Sequence, residues 1–429
     1  MLGLLALGIF TICMFVNVPV SISMGLASGV CLCVMGISGM IIPQKMLAGI
    51  QSWVLLSVPF FILAAQIMNR GGVAERLFTF ANELVGWVKG GLGHANVLAS
   101  MIFAGISGAA VADASGLGML EIKVMTEAGY DKKFAVGVTA ASCMLGPIIP
   151  PSIMLILYGY LAEISIAALW LAGIIPGIIT GFLLMAYIYI TVLRGKIICP
   201  APKKFSLKNA CKSFTKNIFV IILPVLLLWL IISGLATPTE TGVVAAVYTF
   251  ILAFFNKKKA FLRDIPRILV GTVKSSGIII FIISIANALV WIISVEKTTD
   301  ILSQFLFSLS SNKYVLLLFI NIFLIIIGAL IEQIPALLII VPILTPIGAQ
   351  LGINPFQFGL MIVFNLMVGL ITPPMGMALF IMGAITDVPM KDIIISSLRF
   401  FFILCFALIL ITYFPIFTTL IPEMFGYIR

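Results

Sequence analysis

Apolar runs of about 18 residues or more follow one another along nearly the whole chain, separated by short polar punctuation. Runs of that length read as membrane-embedded helices, roughly a dozen of them. The alternating apolar and polar positions of a membrane β-barrel do not occur. The expected fold is therefore an all-α polytopic membrane protein. Two of the runs are interrupted in the same way, by GPIIPPS at 146–152 and by GLITPPM at 369–375. Each predicts a broken helix, over about 134–161 and about 355–385. Ahead of each lies a run that reaches a tip of small residues and returns. Such a tip suits a re-entrant hairpin better than a plain span, over about 95–125 and about 314–348. A last helix is expected over about 393–421.

The two interrupted regions are in register. Gly146 and Gly369 are separated by 223 positions, as are Pro150 and Pro373, and Pro151 and Pro374. The same offset pairs Gly105 with Gly328, Gly129 with Gly352, Met144 with Met367, and Ile148 with Ile371. This spacing divides the chain into a first repeat over 1–193, a basic linker over 194–217, and a second repeat over 218–429. The repeats are expected to be inverted in the membrane. Internal repeats with Gly/Pro-interrupted helices at matching places are the sequence sign of a secondary transporter.

Composition agrees with this pattern. Of 429 residues, 62% are hydrophobic and 9% charged, and the mean hydropathy is +1.26. A soluble domain cannot hide that much apolar surface. The N-terminal run lacks a basic leader and a cleavage site, so it is expected to be a retained helix. The seven cysteines lie in apolar stretches or the linker, without the spacing of a disulfide frame or zinc site. A single histidine, His94, cannot build a multi-histidine metal site. The net charge of +10 is concentrated in two places. Residues 194–216 carry seven Lys/Arg and no acid, and 256–267 carry five and one. Basic clusters beside membrane helices orient the chain with those loops in the cytoplasm rather than marking a nucleic-acid surface. Lipid contact is a secondary expectation.

Proline has no N–H, so the carbonyl four residues earlier loses its helical partner. Pro150 frees the carbonyl of Gly146, Pro151 that of Pro147, and Pro373 that of Gly369. Inside a membrane such carbonyls need a cation, water or side chain. Carbonyl oxygens with a hydroxyl or two form a hard-oxygen cage suited to Na⁺, and a half-helix N-terminus suits a carboxylate. The reading is two breaks for two ion sites, flanking one anionic substrate site. Polar residues inside the apolar runs point to the same places: Ser107 and Asp113 at the first tip, Ser152 after the first break, Glu332 at the second tip, and Thr372 in the second break. Asp113 reads equally as an N-cap for the return helix. Glu240, in ATPTETG, reads as part of a helix-capping box.

With these residues in view, the chain resembles the large membrane subunit of tripartite ATP-independent periplasmic (TRAP) transporters. The stretches that carry the resemblance are NVPVSISMGLA (17–27), PFFILAAQIMNRGGVAERL (59–77), AGISGAAVADASGLG (104–118), EAGYDKKFAVGVTAASCMLGPIIPPS (127–152), ATPTETGVVAAVY (236–248) and GLITPPMGMALF (369–380). The resemblance implies an elevator-type transport domain moving against a scaffold in the bacterial inner membrane. It implies Na⁺ as coupling ion, and a small four-helix membrane subunit as a separate chain. It also implies a periplasmic substrate-binding protein delivering a carboxylate such as sialic acid or a C4-dicarboxylate. Carried over by position, one Na⁺ site would use Ser107, Gly146, Ile149 and Pro151. The other would use Gly328, Glu332, Gly369, Thr372 and Met375. Ser107, Ser152 and Asp113 would face the substrate. The second tip departs from the family pattern, with Ala329 where methionine is frequent and Gln333 where a smaller residue is.

Rival classes are poorly supplied. An enzyme would need a nucleophile–base pair or metal ligands, and the motifs for these are missing, as is a Walker A sequence. A channel or purely structural subunit predicts a continuous polar lining or none, whereas the polar groups cluster at two breaks. Proton coupling through Asp113 and Glu332 is the alternative to Na⁺.

Overall fold

A computed structural model describes residues 2–428 apart from 196, 198 and 201–205, so part of the basic linker lies outside the described residues. The described residues are α-helical, with short 3₁₀ turns and no strand. In chain order the helices are α1 Leu2–Phe15, α2 Val20–Met35, α3 Ile41–Ile50, α4 Ser57–Arg70, α5 Val73–Val85, α6 Gly91–Ser107 and α7 Ala110–Ser115. There follow α8 Leu117–Glu127, α9 Lys132–Ser142, α10 Ile153–Leu161, α11 Ile166–Leu193, α12 Leu207–Ile232 and α13 Pro238–Val295. The remainder are α14 Thr298–Leu309, α15 Lys313–Leu330, α16 Gln333–Gln350, α17 Pro355–Gly369, α18 Met377–Ile385, α19 Met390–Tyr413 and α20 Ile416–Met424. Among the described residues, eight helical stretches are long and apolar enough to cross a membrane, and four shorter apolar helices accompany them.

Local chemistry sets the helix starts. Side chains of Asp131, Ser152, Ser165, Ser206, Asn312 and Asn354 each accept a backbone N–H from the first turn that follows. Thr237 and Glu240 form the expected reciprocal capping box at the start of α13, with Pro238 at its first position.

Both hairpins are present: α6 turns at Ser107–Ala109 into α7 and α8, and α15 turns at Ile331–Glu332 into α16. Both interrupted helices are present too, as α9 with α10 and α17 with α18. The peptide bonds Pro150–Pro151 and Pro373–Pro374 are both cis. The first halves of these helices lie at the centre of the protein. Every residue of α17 from Phe356 to Gly369 is buried, as is every residue of α9 from Phe134 to Ser142. A helix that is apolar all round has no preferred outer face and belongs inside the bundle. Outer helices present Phe182, Trp229, Val273, Phe319 and Phe402 outward, as a lipid-facing surface requires.

Two elements differ from the sequence reading. Residues 256–267, expected as a loop, remain helical within α13. A straight helix of 58 residues would extend about 87 Å. Yet Gly242 packs on Phe60 and Phe61 of α4, while Ile278 lines the same cavity as Ile62 of that 14-residue helix. The rings of Phe250 and Phe261 are 5.2 Å apart. The path of α13 therefore turns back across 256–267, a stretch that includes Pro266, and its two limbs clasp α4. Ile67 of α4 sits in a small apolar cluster with Ala253, Phe261 and Ile268. Gly71 accepts a hydrogen bond from the Asn256 amide, and Arg70 faces Asp264. The last expected helix is likewise two, because Pro415 ends α19 at Tyr413 and α20 starts afresh.

Lipid tails are as apolar as the side chains, so helices inside a membrane gain from close backbone approach rather than from expulsion of water. Gly369 makes the point. A Cβ there would lie 2.3 Å from the Gly328 carbonyl carbon, so α15 and α17 touch backbone to backbone. Gly369→Ala is expected to lower stability by about 1–3 kcal/mol, the usual scale of overpacking. Gly277→Ala, where an added methyl meets nothing within 4 Å, should be neutral or stabilising. Thermal melts of the purified variants check the contrast.

Candidate functional site

Each break faces the tip of a hairpin and is tied to it by one backbone hydrogen bond. At the first, the Ile153 N–H donates to the Gly108 carbonyl at 3.2 Å. At the second, the Met375 N–H donates to the Ala329 carbonyl, also at 3.2 Å. The first tip needs glycine at 108: its φ of +59° is left-handed, and a Cβ would lie 2.6 Å from the Pro151 carbonyl oxygen.

The structure brings Ser107, Gly146 and Pro151 together around this junction, while the Ile149 side chain packs against Gly177 of α11. Ser107 ends α6, is fully buried, and its hydroxyl has no hydrogen-bond partner among the described residues. Gly146 lies against the tip, where an added Cβ would sit 3.2 Å from the Ala109 carbonyl carbon. Ser152, also fully buried, is engaged locally: its hydroxyl donates to the Pro147 carbonyl and accepts the Leu155 N–H. The carbonyl freed by Pro151 is therefore taken by Ser152. An unpartnered buried hydroxyl beside carbonyl oxygens is a donor set that suits a hard cation.

The second site is arranged differently. The Gly369 carbonyl, expected to be freed by Pro373, accepts the Thr372 N–H at 2.9 Å in a tightened turn. A carbonyl has a second lone pair, so this leaves coordinating capacity. The Thr372 hydroxyl donates to the Val368 carbonyl. Glu332 stands at the N-cap position of α16 but makes no side-chain cap bond. Met375 is about half exposed.

Asp113 is not the N-cap of the return helix. It lies within α7, and α8 begins after Gly116, whose position carries no side-chain cap bond. Its side chain is buried beside Ser100. The sequence reading did not single out Glu121 of α8, which is fully buried with a carboxylate that has no hydrogen-bond partner among the described residues. In the sequence MLEIKVM (119–125) shows Glu121 as a charged interruption, yet periodicity alone does not show that this position turns inward.

Each hairpin is also pinned to its interrupted helix by buried side chains. In the first half the Ser142 hydroxyl donates to Asn96 Oδ1 at 2.7 Å, and Asn96 Nδ2 donates to Thr139 Oγ1 at 2.7 Å. In the second, Asn365 Nδ2 donates to Asn321 Oδ1 at 2.7 Å, and Asn321 Nδ2 to Thr412 Oγ1 at 3.1 Å. Ser142 and Asn365 are themselves 223 positions apart.

One cavity of about 710 Å³ joins the two tips to the clasp formed by α4 and α13. It is lined by Ser107 and Gly108 from the first tip, Glu332 and Gln333 from the second, and Gln66, Asn69 and Arg70 from α4. Its size falls in the range of small-molecule sites, roughly 300–1,000 Å³. The α4 residues were missed in the sequence, although Gln66, Asn69 and Arg70 recur at helical spacing within an otherwise apolar run.

Hairpins facing interrupted helices, with a cavity between the two tips and the α4–α13 clasp, are the architecture of a membrane transporter. The fold agrees: the chain is similar to the solved YdaH transporter of Alcanivorax borkumensis, with a TM-score of 0.56 at 16% identity over 86% of each chain. It is also similar to MtrF of Neisseria gonorrhoeae, with a TM-score of 0.53 at 16% identity over 87% of this chain and 84% of that one. Residues 7–417 match the family described as tripartite ATP-independent periplasmic transporter, DctM component. The chain belongs to that family, as a large permease protein of a TRAP transporter. Relatives include the sialic acid TRAP transporter large permease protein SiaM of Vibrio cholerae, 41% identical over 90% of each chain. The sialic acid TRAP transporter permease protein SiaT of Haemophilus influenzae is 36% identical over 98% of this chain and 68% of its own length. The C4-dicarboxylate TRAP transporter large permease protein DctM of Pseudomonas aeruginosa is 36% identical over 88% of each.

Removing one partner of a buried hydrogen bond strands the other, at a cost of about 1–3 kcal/mol. Asn365→Leu and Asn321→Leu should each destabilise by that order. The double variant should cost less than the sum of the two. A double-mutant cycle on thermal stability reads the coupling, and strict additivity would show that the two amides act independently.

Proposed function

We propose that this permease imports an organic acid, sialic acid or a C4-dicarboxylate, in symport with Na⁺. The observation that carries the proposal is the pairing of two proline-broken helices with two hairpin tips, both of which line one cavity. Secondary transporters place substrate and coupling ions at such interrupted helices. The unpartnered Ser107 hydroxyl with Gly146, Ile149 and Pro151 would hold one Na⁺, and Gly328, Glu332, Gly369, Thr372 and Met375 the other. Of the residues expected to face the acid, Ser107 lines the cavity, whereas Ser152, its hydroxyl held by Pro147 and Leu155, and the buried Asp113 do not line it. Names of relatives in both substrate classes support the carboxylate.

In this reading the repeats over 1–193 and 218–429 are inverted, and the hairpins with their broken helices move as a body against the scaffold. A small four-helix membrane subunit and a periplasmic binding protein complete the transporter. The protein sits in the bacterial inner membrane, with the linker and the 256–267 bend on the cytoplasmic side.

Proteoliposomes holding the chain with its membrane partner and binding protein should accumulate sialic acid or succinate only under an inward Na⁺ gradient. Accumulation indifferent to Na⁺ would replace this coupling by protons. Ser107→Ala should raise the Na⁺ concentration for half-maximal uptake by roughly tenfold, the scale of one lost oxygen ligand to a charge. Uptake titrated against Na⁺ measures that shift.

A further inference from the structure

The cavity is electrically asymmetric. Among the described residues that line it, Arg70 is the one basic side chain and Glu332 the one acid. The remaining polar lining is neutral, including Gln66, Asn69, Ser107 and Gln333. Two of these offer unused groups: the buried Ser107 hydroxyl and the buried Gln333 Oε1 have no hydrogen-bond partner among the described residues.

Arg70 ends α4, inside the clasp, and its ion pair is loose. Asp264 lies 4.0 Å from its guanidinium, and the same carboxylate oxygen is shared with Arg267 at 3.7 Å. A guanidinium has five N–H donors in a planar fork that matches a carboxylate edge to edge. Among the described residues Asp264 is the one ion-pair partner of Arg70, and so long a contact to a shared acid leaves the N–H fork of this cavity-lining residue largely uncommitted.

We infer that Arg70 is the counter-ion for one substrate carboxylate, and that it selects singly charged, hydroxyl-rich acids over dicarboxylates. This rests on the carboxylate reading above and narrows it. A monocarboxylate neutralises Arg70 and turns its remaining hydroxyl and amide groups to the neutral polar lining. A dicarboxylate brings a second charge into the cavity, where among the described residues no second basic side chain lines the wall to meet it. Neutral donors and acceptors reward a hydroxylated body, because a buried polar group left unpaired costs binding.

The test is equilibrium binding of labelled sialic acid to the purified membrane complex, without the binding protein, so that the latter's selectivity does not enter. Succinate serves as competitor. Wild type should bind sialic acid, and succinate at equal concentration should displace little of it. Arg70→Gln should raise Kd by roughly ten- to a hundredfold, the scale of hydrogen bonds to a charged group. Arg70→Lys should recover part of that loss, which a folding defect would not do. Unchanged Kd in Arg70→Gln, or equal competition by succinate, would overturn the assignment while leaving carboxylate transport intact. Failure of wild type to bind either acid would overturn the carboxylate reading itself, and this assignment with it.

Discussion

Everything distinctive in this protein follows from one constraint: a backbone carbonyl or amide inside an apolar bundle must find a partner. Proline removes partners at Pro150–Pro151 and Pro373–Pro374, and the surrounding structure is built to answer. At the first break Ser152 takes the Pro147 carbonyl and the tip of the hairpin takes the Ile153 amide. At the second, a tightened turn takes the Gly369 carbonyl and Ala329 takes the Met375 amide. Leaving such groups unmet costs several kcal/mol each, by order of magnitude. The hairpins and the broken helices are thus obligatory companions.

The layout of the fold was legible because its causes are local. Proline, glycine and apolar length leave strong marks: the turns at Ser107–Ala109 and Ile331–Glu332 and the interruptions between α9 and α10 and between α17 and α18 all fall at such residues. Helix starts were readable where a Ser, Thr or Asn cap lies in the chain, as with Thr237 and Glu240. The backbone path of α13 was harder. Polar, basic residues at 256–267 read as a loop, yet the stretch stays helical around Pro266 while the path changes direction, and only its contacts with α4 reveal the reversal.

The candidate site was legible by position and less so by partner. Carbonyl release by proline is a rule about one segment, whereas re-partnering depends on what a distant segment brings. Ser152 and the Gly369 turn show this: the sequence marks the vacated acceptors and is silent on which donors arrive. Glu121 and the α4 residues Gln66, Asn69 and Arg70 were missed for the same reason. For the α4 residues what matters is which side of the helix meets the cavity, and for Glu121 that its side turns into the protein; tertiary packing decides both.

The folded-back α13 has a use beyond its architecture. Its two limbs hold α4 between them from Gly242 through Ala253 and back along Phe261 and Ile268 to Ile278. The three segments therefore share a single frame of reference. Spectroscopic probes attached to the outer faces of the two limbs would act as a built-in ruler, constant in length, against which any displacement of the hairpins could be surveyed. A motion within the molecule could then be told from tumbling of the whole, by triangulation from one helix that returns on itself.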